Sequence, residues 1–494
     1  MRFRSDPIER NQHTGSRQRV KAGSPRIVAV TLVTILLFGA VPLAGIWQIS
    51  IRIANSVNSV QKPLVSEALL VTQLFSVRRT PATLSSEVRI GGLRDSLRQI
   101  SQRLPSESCL AVDVEGRHVV ASSVAIPLMP ASNLKILVAA AALELLGSNF
   151  EYTTSLVGIT GGTAVQGDLW LVGGGDPLLT AGNYPSSEVH PTLFPTRIEI
   201  LVESLVSLGI TNISGSVVGD ESRYDLERFT PSLGLGVRTT EVGPLGALLI
   251  NDGVIATSPI KPDNPALSAA IEFTRLLAER GITVAQSPKT GTASTDMPIL
   301  ATVNSAPLAN IIVEMLTNSD NNTAELLLKE IGKSYSGQGT RVAGIVGVQN
   351  VLKKLSINID GLAMTDGSGL DRSNRVTCST LQSILVKDGG FGQLTMGFAV
   401  AGRSGTLSDL FLNSPVTGSM RGKTGTLTGA KTLSGVVPYS ENQAIIFSLL
   451  MNGSGVSNQG VYRPIWSALT EIFAKFSIHP TMDDLSPLGP SDAP

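Results

Sequence analysis

The spacing of apolar and polar positions changes several times along the chain, and each change predicts a different element. From Ile27 to Trp47 run 21 consecutive positions without a charge, about what an α-helix needs to cross a hydrocarbon layer of roughly 30 Å. This run predicts one membrane span. The segment that follows, to about residue 85, is polar and carries the proline-bearing pieces QKPLV and RRTPA, which reads as a stalk. SCLAVDV and RHVVASS then flank Glu115–Gly116, the pattern of a hairpin closed by a two-residue turn. Next comes PASNLKILVAAAALELLG, apolar or alanine almost without a break from Ile136 to Leu146. Good helix formers on every side predict a helix buried in a core and ended by Gly147.

From about 154 to 299 glycines interrupt strand-like pieces (TTSLVGI, DLWLVG, ISGSVVG), and a helix opens at Asn264–Pro265 and runs to Arg280. This texture predicts an inserted β-rich domain. Beyond it NNTAELLLKEIG reads as a helix. KTGTLT, KTLSGVV and QAIIFSLLMN read as three consecutive strands, turning at Gly429–Ala430 and again at Pro438–Asn442. The end, 479–494, is rich in proline and aspartate and predicts a disordered tail. The 494 residues thus divide into a cytoplasmic segment 1–26, an anchor 27–47, a stalk 48–85, a main domain from 86–153 and 300–478, the insertion 154–299, and the tail. At about 150 residues per domain the length alone calls for more than one core.

Charge adds a direction to the apolar run. Seven Lys/Arg against two acids precede it, and after it Arg52 stands alone until Lys62. By the positive-inside rule the N-terminus stays in the cytoplasm and everything after Ser50 is exported. A cleaved signal peptide would have a shorter apolar region, roughly 7–15 residues, followed by a small-x-small site. IRIANSVNS offers no such site, which favours an uncleaved anchor. Net charge is zero and the body has no dense basic patch, so nothing calls for nucleic acid. The four histidines are scattered without ligand spacing, which argues against a metal site. Cys109 and Cys378 lie far apart with no C-x-x-C; in an exported protein they could pair, but sequence cannot place their Cα atoms, and two free thiols are the expectation.

Candidate chemistry starts with GSMRGKTGTLTG, residues 418–429. A phosphate-cradling loop needs G-x-x-x-x-G-K-[ST], but Thr417 stands where the first glycine should be, and the sequence that follows alternates like strands instead of opening a helix. There is no G-x-S-x-G elbow either. A serine nucleophile without histidine needs another base, and a lysine relieved of its charge is the next choice. S-x-x-K puts both side chains on one helix face. Three copies occur, Ser59–Lys62, Ser132–Lys135 and Ser258–Lys261, and only Ser132 heads the buried helix. Taken alone, Ser132 is most simply an N-cap. Lys135 changes the balance, since bringing a lysine from about 10.4 to about 7 takes roughly 4–5 kcal/mol of environment.

Ser132-x-x-Lys135, Ser319-Asp-Asn321 and Lys423-Thr-Gly425, in that order, resemble the penicillin-recognising serine enzymes, with their S-x-x-K, S-D-N and K-T-G signature. GDLWLVGGGDPLL, SDNNTAELLLKEIG, TDGSGLDRSNRVTC and RGKTGTLTGAKTLSGVV resemble one branch, the D-alanyl-D-alanine carboxypeptidases of the penicillin-binding protein 4 type, peptidase family S13. The similarity runs from about 85 to 475. It includes a long gap between the first two motifs, here shorter than in many relatives. Lys289–Thr292, a second KTGT, precedes S-D-N, breaks the family's order and reads as a surface turn.

The resemblance implies an α+β fold, a serine β-lactamase/transpeptidase-like domain whose antiparallel sheet joins the 108–123 hairpin to the 423–452 strands with helices on both faces. It implies no cofactor, peptidoglycan stem peptides as substrate and β-lactams as covalent inhibitors. Ser132 would attack the carbonyl between two terminal D-alanines and Lys135 would take its proton, kept neutral in part by the charge of Lys423. Ser319 would relay a proton to the leaving amine and could also cap the next helix. Asn321 would bind the substrate's backbone amide. Lys423, Thr424 and Thr426 would hold the terminal carboxylate along the strand that includes Gly425, and the N–H groups of Ser132 and Thr426 would form the oxyanion hole. An endopeptidase cutting cross-links, a β-lactamase and a non-catalytic wall-binding scaffold are the rivals. No E-x-x-L-N segment of the class A β-lactamase kind is present.

Overall fold

The computed structural model describes residues 81–254 and 261–478, with five helical, exposed residues between 46 and 52. The expected span 27–47, apart from Ile46, most of the stalk and the tail lie outside the described residues. So do the Ser59–Lys62 pair and Ser258 of the third S-x-x-K copy. No helix among the described residues is long and apolar enough to cross a membrane.

The body opens with α1 (Pro81–Ser101), which starts inside the expected stalk, and continues into the hairpin β1 (Ser108–Val114) and β2 (Arg117–Ser122). Glu115 and Gly116, both at positive φ, make its turn, the geometry a two-residue hairpin loop prefers. A 3₁₀ turn, Ala131–Leu134, leads into α2 (Lys135–Leu146), which ends on Gly147 at φ 83°. The inserted block then adds β3 (Thr153–Gly161), β4 (Ala164–Val172), β5 (Leu179–Thr180), β6 (Thr196–Arg197), α3 (Glu199–Ser207), β7 (Asn212–Ile213) and β8 (Val217–Asp220). It closes with α4 (Pro265–Glu279), β9 (Thr283–Val284), β10 (Lys289–Thr290) and β11 (Ile299–Asn304). The chain finishes with α5 (Leu308–Thr317), α6 (Asn321–Ser336), α7 (Arg341–Lys354), α8 (Cys378–Asp388), α9 (Gln393–Met396), β12 (Ala399–Val400), β13 (Arg421–Leu427), β14 (Ala430–Ser440), β15 (Gln443–Asn452) and α10 (Gln459–Ile478).

One antiparallel sheet, ordered β12-β13-β14-β15-β1-β2, joins the first hairpin to the last three strands. Every residue of β1 is buried, because this strand lies inside the sheet with both faces covered. On one face α1 and α10 pack through Leu97, Trp466 and Phe473; on the other, α2, α5, α6 and α8 enclose a second core around Leu137, Ile312, Leu327 and Leu381. α2 is apolar all round for this reason: it lies in the middle of a helical layer. The inserted block has its own core and a mixed sheet ordered β10-β8-β4-β3-β11.

Three local expectations shift. The β13–β14 turn is Thr428–Gly429 and the β14–β15 turn is Glu441–Asn442, since Leu427 pairs with Ala430 and Ser440 with Gln443. Pro438 is absorbed within β14, beside a register irregularity, the kind of place a strand tolerates proline. Lys289–Thr290 is a short exposed strand parallel to β8, not a turn, and Lys289 pairs with Asp168 at 2.9 Å. Finally, Cys109 of β1 and Cys378 at the start of α8 are joined in a disulfide, with Cα atoms 6.0 Å apart. Sequence could not place the two Cα atoms, because the strand and the helix that bring them together lie 269 positions apart.

Candidate active site

The segment carrying Ser132 is held from several sides before any chemistry is considered. Asn452 on β15 accepts from the Met129 N–H at 2.7 Å and donates to its carbonyl at 3.1 Å; Thr432 donates to the Pro130 carbonyl at 2.9 Å; Asn133 donates to Ser434 at 2.8 Å. These contacts press the 3₁₀ turn against β13 and β14. Gly425 permits the approach, because a Cβ there would meet Thr432 Oγ1, the Pro130 carbonyl and Ala131 Cβ. The glycine of K-T-G is therefore a clearance residue. Ala131 sits at φ 46° and Ser319 at φ 64°, left-handed conformations that cost non-glycine residues about 1–3 kcal/mol and are kept only where surroundings enforce them.

Ser132 does not cap the helix. No side-chain cap bond forms at either the 3₁₀ turn or α2; instead Lys135 Nζ lies 3.1 Å from Ser132 Oγ. The other two contacts of that nitrogen are the Asn321 Oδ1 and the Ser368 carbonyl, both at 2.7 Å. A neutral amine has two hydrogens and one lone pair, so with Asn321 and Ser368 accepting, the lone pair faces the serine hydroxyl. Lys135 is wholly buried, and burial pulls it down to about 8 against the pull of Asp320, Asp366, Glu325 and Glu241. The like-charge repulsion expected between Lys135 and Lys423 is present, and it falls on Lys423. Lys423 is itself held well below the usual lysine range, by burial first and then by Lys135 and Lys431.

Lys423 Nζ donates to Ser319 Oγ and to the Thr424 carbonyl, both at 2.8 Å. Ser319 caps nothing either: Asp320 is the N-cap of α6, accepting from the Thr323 N–H. Asn321 Nδ2 donates to the Glu241 carbonyl at 2.7 Å. One hydrogen of that amide is thus committed to the loop and its oxygen to Lys135, which makes orienting the lysine its first task. Thr424 donates to Thr406 at 2.9 Å. Ser132, Ser319, Asn321, Thr424 and Thr426 line one cleft of about 470 Å³, which Glu188, Asp252 and Glu314 also line. Lys135 and Lys423 lie beneath it, at 0% exposure.

Two buried carboxylates went unread as part of this centre. Glu325 accepts from the N–H groups of Gly367 and Ser368, at 3.0 and 2.7 Å, which fixes the carbonyl that Lys135 uses. Asp366 accepts from the Gly369 and Asp371 N–H groups, at 2.9 and 2.7 Å, and shapes the same turn. Only the α-helical spacing of Glu325 within SDNNTAELLLK could have hinted at the first.

Comparison with known proteins now decides the family. The sequence profile of the D-Ala-D-Ala carboxypeptidase 3 (S13) family matches residues 108–263 and 251–475. The chain belongs to this family. Similar S13 relatives include the D-alanyl-D-alanine carboxypeptidase of Actinomadura sp. (strain R39), 28% identical over 410 residues, 66% of this chain and 73% of that protein. A carboxypeptidase of Mycobacterium tuberculosis is 30% identical over 345 residues, 67% and 72% of the two chains. The crystal structure of penicillin binding protein 4 from Haemophilus influenzae shares the fold, at a TM-score of 0.62 and 21% identity over 76% of this S13 chain and 97% of that one.

A base with this environment has a definite pH signature. Lys135 must be a free amine to take a proton, and its uncharged fraction grows as pH rises through about 8. The acylation rate constant of this S13 enzyme is expected to climb roughly tenfold per pH unit well below that value and to level off above it. Stopped-flow acylation by a chromogenic cephalosporin between pH 5.5 and 9.5 reads this directly; a flat profile would remove Lys135 as the base.

Proposed function

We propose that the chain is a serine D-Ala-D-Ala carboxypeptidase that removes the terminal D-alanine from peptidoglycan stem peptides, with Ser132 as nucleophile. The observation that carries this reading is the Lys135 nitrogen, buried, bonded to two fixed acceptors and 3.1 Å from the serine oxygen. Ser132 Oγ attacks the carbonyl carbon of the D-Ala-D-Ala bond while its proton passes to Lys135. The N–H groups of Ser132 and Thr426 take the developing oxyanion, each such donor being worth roughly 3–4 kcal/mol in comparable sites. As the C–N bond breaks, Ser319 passes its hydroxyl proton to the leaving amine and takes one in turn from Lys423, whose Nζ donates to its Oγ. Water then attacks the acyl carbonyl carbon, its proton making good the one lost from the Ser319–Lys423 pair while Lys135 returns its proton to the departing Ser132 oxygen, and the shortened peptide leaves. Lys423, Thr424 and Thr426 hold the carboxylate of the departing D-alanine, and the second Nδ2 hydrogen of Asn321 reaches the peptide backbone. β-Lactams enter the same way and remain on Ser132.

The same reading places the body outside the cytoplasm on a single N-terminal anchor in the membrane. The asymmetric charge around 27–47 supports it, and so does the disulfide, since such bonds persist in oxidising compartments. Recovery of the intact protein from the soluble cytoplasmic fraction would refute the placement.

The function is tested with a synthetic stem pentapeptide ending in D-Ala-D-Ala. One free D-alanine should appear for each tetrapeptide formed. A cross-linked dimer peptide run in parallel identifies an endopeptidase if it alone is cut, and turnover of penicillin without peptide cleavage identifies a β-lactamase. A protein that binds wall fragments but cuts none of these substrates and takes no penicillin adduct is a scaffold.

A further inference from the structure

The S13 motifs account for β13 but not for what stands beside it on β14. Lys431 lies directly across the ladder from Thr426, and its Nζ donates to Thr426 Oγ1 at 2.8 Å. The side chain is 7% exposed and is held from below by aromatic rings of α10, with Nζ 4.2 Å from the Tyr462 ring centre and 5.1 Å from that of Trp466. A lysine in that position is a cation held on two π-faces, with its head under an exposed threonine of the catalytic cleft. Nothing in the S-x-x-K, S-D-N and K-T-G scheme requires it.

Its effect on Thr426 follows from the hydroxyl's inventory, one hydrogen and two lone pairs. Lys431 occupies a lone pair, so the hydrogen must point elsewhere. Without substrate the neighbouring donors on β13 hold internal partners, Thr424 with Thr406 and Lys423 with Ser319 and the Thr424 carbonyl, which they must exchange to reach an anion. Among the described residues the Thr426 hydroxyl has no acceptor of its own, and it lines the cleft.

We propose that Lys431 is a positioning residue for recognition of the substrate's terminal carboxylate, orienting the Thr426 hydroxyl so that its hydrogen is presented to that anion. The inference rests on the carboxypeptidase reading of the cleft. Burial brings the Lys431 amine to about 8, with Arg463 of α10 pushing the same way and Asp409 opposing, so it is mostly charged at neutral pH.

The test compares two peptides that differ only at the C-terminus, a D-Ala-D-Ala stem peptide with a free carboxylate and its carboxamide. The readout is the ratio of their kcat/KM values, in which changes in the acylation machinery cancel. Lys431→Met should lower this ratio at least tenfold while the carboxamide rate moves by less than threefold, and Lys431→Arg should restore most of it. Thr426→Val should lower the ratio similarly, and the double variant Lys431→Met/Thr426→Val should be no worse than Thr426→Val alone. If Lys431→Met does not fold, the Lys431→Arg and Thr426→Val pair carries the comparison. Equal losses on both peptides, or an unchanged ratio, overturn the inference and leave Lys431 as packing for α10. A native protein that releases no D-alanine and takes no penicillin adduct overturns the reading of the cleft itself, whereas native activity with an unchanged ratio in the variants overturns only the role of Lys431.

Discussion

Replacing Ser132 by alanine is expected to abolish the covalent penicillin adduct and to lower peptide turnover by a factor on the order of 10⁴–10⁶, the range seen when a serine nucleophile is removed from a comparable unit. Ser319 is the only other motif serine in the cleft, but its Oγ accepts from Lys423 and not from Lys135. Lys135→Met should come close to the same loss, because the two side chains work as one unit and their effects do not add. It also empties the position between Asn321 and Ser368, so both acceptors lose a partner. Intact mass after incubation with benzylpenicillin is the measurement: an adduct on the native chain and on a Ser258→Ala control, and none on Ser132→Ala. An adduct that survives in Ser132→Ala would move the nucleophile elsewhere and dismantle the proton path derived for Lys135.

How much of this could be read from the chain depends on how local each cause is. The hairpin at Glu115–Gly116, the apolar helix ending at Gly147 and the three C-terminal strands are set by neighbours in sequence, so alternation and turn residues reveal them. The S-x-x-K pair is legible for the same reason, since its two members share one turn. Even so, short-range cues miss register by a residue where glycine and proline compete: the β13–β14 turn uses Thr428–Gly429, and Pro438 stays within β14. The remainder of the site consists of contacts between residues 43 to 323 positions apart. The carbonyl of Ser368, the carboxylate of Glu325 that fixes it, and the Asn452 and Thr432 clamps on residues 129–130 leave no periodic trace. Lys431 is a further case, for in sequence it is one polar residue on a strand, and only the pairing with Thr426 and the packing of α10 give it a task. The lysine repeat at Lys289 shows the converse. Identical residues in a different ladder sit exposed beside Asp168 and far from any nucleophile's motif.

The bond between Cys109 and Cys378 was the feature least accessible to sequence, and it carries the second large effect. It spans 269 positions, and in the chain-entropy view a cross-link closing so long a loop restricts the unfolded ensemble strongly, so that loss of such a bond typically costs about 2–5 kcal/mol. Both cysteines are fully buried, one inside the main sheet and the other opening α8, so the bond ties the helical layer to the sheet. The closed loop contains Ser132, Lys135 and Ser319 but not Lys423. Reopening it therefore frees, in the unfolded chain, the two halves that must meet to build the cleft. The double variant Cys109→Ala/Cys378→Ala should accordingly unfold at a clearly lower guanidinium concentration. Its penicillin acylation rate at low temperature should stay within a few-fold of native, because every hydrogen bond to Ser132, Lys135 and Lys423 runs through other residues. An unchanged unfolding midpoint would mean that the bond adds no constraint the packed core does not already impose; a lost acylation rate with native stability would mean that it positions the nucleophile directly, through the Leu128–Val376 bridge that leads into the Ser132 turn.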